Sequence, residues 1–423
     1  MHYQINRAIR AVQSPPIAEA ASWVRGREFP AEKPLLDMAQ AVPRIPPPPE
    51  LRAHIAGQLA EHGYNGYTEI LGLPELRAAY AAHITGEYSG EYGGEVRPAQ
   101  VAITAGCNQA FCLVMQAICE PGDEVILPAP YYFNHHMWLE MLGMRPVLLP
   151  FNALGGGVPD AEAARALITP RTRAMVLVTP NNPTGAVYPP ATIAAFHALA
   201  RDHGLALVLD ETYKDFLLDT AGDAKPTGAP AGNGGQGEGS AEAPAGHPEH
   251  VRHDLFQAPD WDGTLIQLYS FSKAYSLSGY RVGAIVGAEG LMEQVAKVAD
   301  CVTICAPRVG QEAALYGVRQ LAGWRRANRA LMRERGEALR AALTKHAPAW
   351  ELVSLGAYFA YLRHPHGGTP ARDVARRLAD EANLLCLPGS TFGPGQDAYL
   401  RLAFANLEAD VLPEAARRLG EVS

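Results

Sequence analysis

The sequence predicts an α/β protein: a mainly parallel seven-stranded sheet covered by helices, followed by a smaller α+β domain. Three observations carry this. Seven short β-prone runs recur through the middle of the chain, most without polar alternation, so both faces of each are expected to be buried. Helical stretches lie between them. After about residue 305 the pattern changes to long charged helical segments with few strands.

In order, the runs are VAIT (101–104), VILP (125–128), PVLLP (146–150), MVLVT (175–179), ALVLD (206–210), LIQLY (265–269) and VGAIVG (282–287). Between the first two, NQAFCLVMQAIC sets Phe111, Val114, Met115 and Ile118 at helical spacing. Near the C-terminus, LAGWRRANRALMRERGEALRAALTKH reads as a long helix. It precedes a strand, AYFAYLR, and a further helix, ARDVARRLADEA. The expected division is residues 1–48 as an N-terminal segment and connector packing on the small domain, 49–305 as the large domain, and 306–423 as the small one. PRIPPPPE (43–50) reads as an extended connector. Residues 220–250 contain no Val, Ile, Leu, Met, Phe, Trp, Tyr or Cys. They bury almost nothing and are expected to form a mobile surface insertion.

Composition excludes several function classes. Thirty-six Lys and Arg stand against 44 Asp and Glu, a net charge of −8 with no basic block, so no nucleic-acid partner is expected. The opening MHYQINRAIRAVQSPP lacks the apolar core of a signal peptide. No apolar run reaches the roughly 18 residues of a membrane helix. Six cysteines in 423 residues do not make a disulfide framework, which points to a reducing cytoplasm. Cys301 and Cys305 read as buried thiols, and no zinc-ligand spacing accompanies them. His135 and His136 are adjacent and point apart, and no metal site is expected.

Ligands of an open parallel sheet bind at the C-terminal strand ends. After VAIT comes AGCNQAF, with Gly106, Cys107 and Asn108 opening a helix whose free N–H groups suit an anion. After MVLVT comes PNNPTG with Asn182, where turn chemistry alone is the competing reading. After ALVLD comes ETYK: Asp210 ends an apolar strand and Tyr213 lies three residues on. A buried carboxylate needs a partner, and capping the next helix would be the plainer role. Lys273 follows the sixth strand, with Ser270 and Ser272 before it and Arg281 after it. Together these groups suit one ligand, with a phosphate, a protonatable aromatic ring and an aldehyde with which a lysine forms a Schiff base.

In NNPTG, DETY and SFSKAYSLSGYRVG the sequence resembles the pyridoxal-phosphate enzymes of fold type I, the class I/II aminotransferases. The resemblance runs from YNGYTEILGLPELRAAY to YLRLAFAN. Asn182 to Asp210 is 28 residues and Lys273 to Arg401 is 128; Asp210 to Lys273 is 63, longer than usual, because the insertion lies between. The resemblance implies pyridoxal 5'-phosphate on Lys273, with Asp210 at the ring nitrogen and Tyr213 and Asn182 at the ring oxygen. Arg281, Ser270, Ser272 and the Gly106–Cys107–Asn108 turn are implied at the phosphate. Tyr132 is implied as the ring stacked on the cofactor, Tyr131 being the alternative register. Tyr67 is implied to reach a neighbouring subunit's phosphate, hence a homodimer with shared sites. Arg401 is implied to grip the substrate carboxylate. The family usually has a glycine where LDMAQAVPRIP sets Ala41, beside that carboxylate.

The expected activity is amino transfer between an L-amino acid, neutral or aromatic, and a 2-oxo acid. Lys273, Asp210 and Tyr213 are the expected catalytic groups. The alternative is another reaction on the same scaffold: a C–S lyase, an elimination or a cyclising synthase. A nicotinamide-dependent dehydrogenase would need G-x-G-x-x-G after a strand, and no strand is followed by one. A regulator built on the same domain would want a helix-turn-helix and a basic face, and neither is evident.

Overall fold

The computed structural model describes residues 3–60, 64–88, 94–217 and 252–422. The expected insertion at 220–250 lies outside the described residues. The large sheet has seven strands, numbered here in chain order: β1 Val101–Thr104, β2 Glu124–Pro128, β3 Arg145–Leu149, β4 Thr172–Val178, β5 Ala206–Asp210, β6 Leu265–Ser270 and β7 Gly283–Val286. Their spatial order is β1-β7-β6-β5-β4-β2-β3. All neighbours are parallel except β7, which runs antiparallel to both β1 and β6.

Strand side chains alternate between two buried faces. Ala174, Val176 and Val208 enter the apolar cluster of one face, with Phe111 and Met115 of helix Cys107–Ile118 and Val295 of helix Glu289–Thr303. Met175, Leu177, Leu207 and Leu209 enter the cluster of the other, with Tyr80 of helix Pro74–Tyr88 and Phe196 of helix Pro190–Asp202. This double burial is why the runs read as continuous apolar stretches.

Register brings the strand ends to one edge. Asp210 pairs with Val178 on one side and Leu268 on the other. Ser270 pairs with Gly283, and Gly283 with Thr104. Because β7 is antiparallel, it begins at the edge where β1 and β6 end, so Arg281, two residues before it, arrives there too. A Cβ on Gly283 would lie 2.8 Å from the Cys107 amide nitrogen, so glycine permits the close approach of β7 to the β1 turn.

A second sheet is antiparallel, in the order Leu387–Pro388, Tyr399–Ala403, Phe359–Arg363, Glu351–Gly356. Helix Ala371–Ala382 and helix Leu412–Glu421 pack Val374, Leu378, Leu412 and Leu419 into its apolar cluster. The N-terminal helix Pro16–Val24 adds Ala20 and Trp23. Leu36–Asp37 pairs with Leu384–Leu385. Helix Ala322–His346 reaches both regions: Met332 belongs to the large-sheet cluster, and Leu339 and Leu343 to the small-sheet one. Helix Arg308–Gln320 packs Ala313 and Ala314 into the large-sheet cluster. The expectation of two buried thiols is corrected: Cys301 is exposed and Cys305 half-buried, because Cys301 lies in the last turn of helix 289–303, off the stripe of Met292, Val295 and Ala299 that faces the sheet, and Cys305 follows the helix.

Candidate active site

A cavity of about 280 Å³ opens at the C-terminal strand edge. Its walls bring together Lys273, Asp210, Tyr213, Asn182, Ser270, Ser272, Arg281, Cys107, Asn108, Tyr132, Arg401 and Ala41. Two expected residues are not in the wall. Gly106 lies just behind Cys107, and Tyr67 is 77% exposed.

At the floor, Asp210 ends β5 and is buried. Its Oδ1 accepts from the Thr212 amide at 2.9 Å, and its Oδ2 lies 3.3 Å from His135 Nε2. The His135 ring stacks on Phe111, with centroids 4.0 Å apart. Cys107 Sγ stands 3.7 Å from Asp210 Oδ2, and burial, then the Asp210 charge, pushes its thiol well above the ordinary range. Cys107 is therefore a neutral thiol.

Lys273 sits in the short helix Phe271–Ala274, which Ser270 caps by accepting from the Ser272 amide at 3.2 Å. Its Nζ donates to the Ala41 carbonyl. The amine also lies 5.9 Å from the centroid of the Tyr213 ring and 6.0 Å from that of Tyr358. Burial, then the Arg401 and Arg281 cations, lowers it from 10.5 to about 8. Burial raises the Tyr213 phenol well above its ordinary value, so it stays protonated as a donor.

Arg281 is left-handed, with φ of 53°, and Nη1 donates to the Ser278 carbonyl at 2.9 Å. Nη2 donates to the Ala105 carbonyl at 3.3 Å. A Cβ on Gly106 would stand 2.3 Å from Arg281 Nη2, and Gly106 has φ of +89°. Only glycine lets the guanidinium rest against the start of helix 107–118, where the first amides have no acceptor within the helix. Ser270, Ser272, Arg281 and this helix start make a cup suited to a dianion.

The two asparagines of PNNPTG divide their work. Asn181 builds the turn: Oδ1 accepts from the Thr184 amide at 3.0 Å, and Nδ2 donates to Tyr188 Oη at 3.0 Å. Asn182 faces the cavity, where its Oδ1 accepts from Arg401 Nη1 at 3.1 Å. Arg401 is rooted in the small sheet, opposite Tyr361 and Leu387. Its Nη2 donates to the Ala39 carbonyl, and its guanidinium carbon lies 4.9 and 5.1 Å from the ring centroids of Phe359 and Phe392. Nε has no hydrogen-bond partner among the described residues. Burial lowers Arg401 to about 10, which leaves it a cation at neutral pH.

Ala41 is buried and offers its carbonyl to Lys273, an orientation the sequence did not disclose. Asn406 holds the segment, with Oδ1 accepting from the Val42 amide at 3.2 Å. Tyr132 rather than Tyr131 meets the cavity: its Oη donates to Asn108 Oδ1 at 3.2 Å, while Tyr131 stacks on His136. Sequence reasoning missed His135, Thr212, Ile17, Gln40, Val42 and Phe133, all beside or within the cavity. His135 carried one usable signal, being one helical turn after Tyr132.

These residues fit pyridoxal phosphate. The cavity has an anion cup, a buried carboxylate on its floor, an amine lowered towards neutrality, and a buried phenol and amide between them.

Comparison with known proteins gives the same answer. Residues 33–419 match the family described as aminotransferase class I and II. The chain is 31% identical to an arginine–pyruvate transaminase of Pseudomonas aeruginosa over 88% of this chain and 86% of that one. It is 26% identical to an aromatic aminotransferase of Arabidopsis thaliana, covering 91% of this chain and 88% of that one. The aspartate aminotransferase of Thermus thermophilus with maleate superposes over the full length of both chains, with a TM-score of 0.84 and 26% identity. The chain belongs to the class I and II aminotransferases, pyridoxal-phosphate-dependent transaminases of fold type I that exchange amino groups between amino acids and 2-oxo acids.

Proposed function

We propose that the amino donor is a neutral or aromatic L-amino acid. One observation carries this: the cations lining the cavity are Lys273, Arg281 and Arg401. The first two serve the cofactor and the third the α-carboxylate, while Ile17, Val42, Phe133 and Tyr132 face the rest of the space. Among the described residues a second substrate carboxylate would find no further cation in the cavity wall and would lose its hydration uncompensated.

When bound, pyridoxal phosphate supplies an aldehyde for the amine and a ring that accepts electrons. Lys273 carries it, and Ser270, Ser272, Arg281, Cys107 and Asn108 hold its phosphate. Gly106 allows the approach, and Tyr132 covers the ring. Asp210, oriented by Thr212 and His135, keeps a proton at the ring nitrogen, while Tyr213 and Asn182 donate to the ring oxygen. Arg401, pre-aimed by Asn182 and Ala39, binds the α-carboxylate beside Ala41. Lys273 Nζ then takes the Cα proton of the amino acid, and its lowered pKa makes the free amine available near neutral pH. Tyr67 is exposed and available to a second subunit, so we assign a homodimer with shared sites. All six cysteines are free, which favours a cytoplasmic setting. The chain divides at 48/49 and 305/306, with helix 308–320 packing on the large-sheet side.

The test is a half-reaction screen that follows loss of the cofactor's visible band with each common amino acid. Faster reaction with aspartate or glutamate than with leucine or phenylalanine would overturn the assignment. Turnover without a 2-oxo acid acceptor would instead indicate lyase chemistry.

A further inference from the structure

Around the turn that follows β5 lies a buried charged cluster that the catalytic roles assigned to the cavity residues do not use. We infer that Arg325 and Asp215 are positioning residues, which hold the turn bearing Tyr213 in place from helix 322–346; this rests on the role given to Tyr213.

The turn after β5 runs Glu211, Thr212, Tyr213, Lys214, Asp215. Thr212 and Tyr213 face the cavity, and their neighbours face the cluster. Asp215 Oδ1 accepts from Arg325 Nη1 at 2.6 Å, and its Oδ2 accepts from Tyr269 Oη at 2.6 Å. Tyr269 immediately precedes Ser270 and so belongs to the strand that delivers Lys273. Asp215 therefore joins three elements: the Tyr213 turn, the strand of Lys273, and helix 322–346. Lys214, almost wholly buried, pairs with Glu87 of helix 74–88. Arg325 Nη1 also lies 3.4 Å from Glu87 Oε1, and Arg252 Nη1 is 3.2 Å from Glu87 Oε2. Glu211 accepts from Tyr88 Oη at 2.7 Å and lies 3.4 Å from His253 Nε2.

Three carboxylates, Glu87, Glu211 and Asp215, thus face three cations, Lys214, Arg252 and Arg325. Burial pushes the Asp215 carboxyl upward, yet Arg325 and Lys214 outweigh it and hold it below its ordinary range. The Glu87 carboxyl likewise ends well below its ordinary range, held there by Lys214, His83 and Arg252 against burial. Apolar residues would fill such a space without the desolvation penalty, so the cluster is poorly explained as a stability device alone. Its geometry constrains direction: charge-assisted hydrogen bonds fix the turn along several axes, where packing alone would let it slide. Both chain ends flanking residues 218–251 are fixed in it, through Lys214 and Asp215 before and Arg252 and His253 after. That arrangement keeps the Asp210–Tyr213 turn in register with Lys273 whatever lies between.

The test is a double-mutant cycle on the cofactor-loaded enzyme, using Arg325→Gln, Tyr213→Phe and the pair, with Arg325→Lys as the conservative control. Arg325→Gln is expected to lower kcat about tenfold and to reduce the visible circular dichroism of the bound cofactor at full occupancy. KM for the amino acid should hold steady, and Arg325→Lys should restore most of both losses. In the Tyr213→Phe background the same change should cost almost nothing further. Equal losses in both backgrounds, or a lowered Tm with unchanged dichroism and kcat, would overturn the inference. A Tyr213→Phe enzyme of undiminished activity would overturn the Tyr213 role itself. If Arg325→Gln does not fold, Asp215→Asn, which keeps the side-chain shape, carries the same cycle.

Discussion

Arg401 donates to Asn182 across 219 positions of sequence, joining the small antiparallel sheet to a turn of the large one. The guanidinium assigned to the substrate carboxylate is therefore aimed by a side chain that also faces the cavity.

Asn182→Ala should consequently damage substrate binding as well as cofactor tuning. We expect kcat/KM for the amino acid to fall about tenfold, with KM rising, because Arg401 loses one of its anchors. Arg401→Ala should cost more, about 2–5 kcal/mol in kcat/KM, as for truncation of one partner of a buried charge pair. Steady-state kinetics on both variants, with cofactor occupancy checked by absorbance, measure this.

Lys273→Ala should abolish both turnover and the visible absorbance of cofactor joined to the protein. Retention of that band and of activity would contradict the assignment.

The pH dependence of Lys273 follows from its lowered pKa. Only the neutral amine attacks an aldehyde, and the folded protein releases that proton at about 8 rather than 10.5. Covalent attachment of phosphate-free pyridoxal to cofactor-free protein should therefore rise with pH through about 8 and level off above it. Arg401→Leu removes one of the lowering cations, so the midpoint should move upward. A midpoint near the ordinary lysine value would contradict the reading.

Gly106→Ala should weaken cofactor binding while leaving the fold intact. The added methyl meets Arg281 Nη2 at 2.3 Å in a backbone conformation that side chains disfavour. The conformational strain alone is of the order of 1–3 kcal/mol. Titration of cofactor-free protein with pyridoxal phosphate should show the dissociation constant rising at least tenfold.

Much of this was legible in the sequence, for a physical reason. A strand buried on both faces leaves an unbroken apolar run, and β5 was read at its observed bounds, 206–210. The other six runs fell within three residues of the observed ends. The cup residues were legible because each lies within four residues of a strand end. What stayed hidden depends on chain partners far apart. The Ala41 carbonyl reaches Lys273 across 232 residues, and no local pattern marks it. His135 looked like half of an idle pair, since its role comes from β5 placing Asp210 beside it. The partners of Arg325 stayed hidden because periodicity does not say which turn of a long helix meets another element.

Helix 322–346 contributes side chains to the apolar clusters of both sheets. Neither cluster can lose its packing without stripping one end of a continuous helix, and a partly frayed helix exposes apolar surface at the other. Calorimetry should therefore show one endotherm for the cofactor-loaded chain, with the calorimetric enthalpy equal to the van't Hoff enthalpy. Two resolved endotherms would mean that the helix can break at its middle, near Arg335.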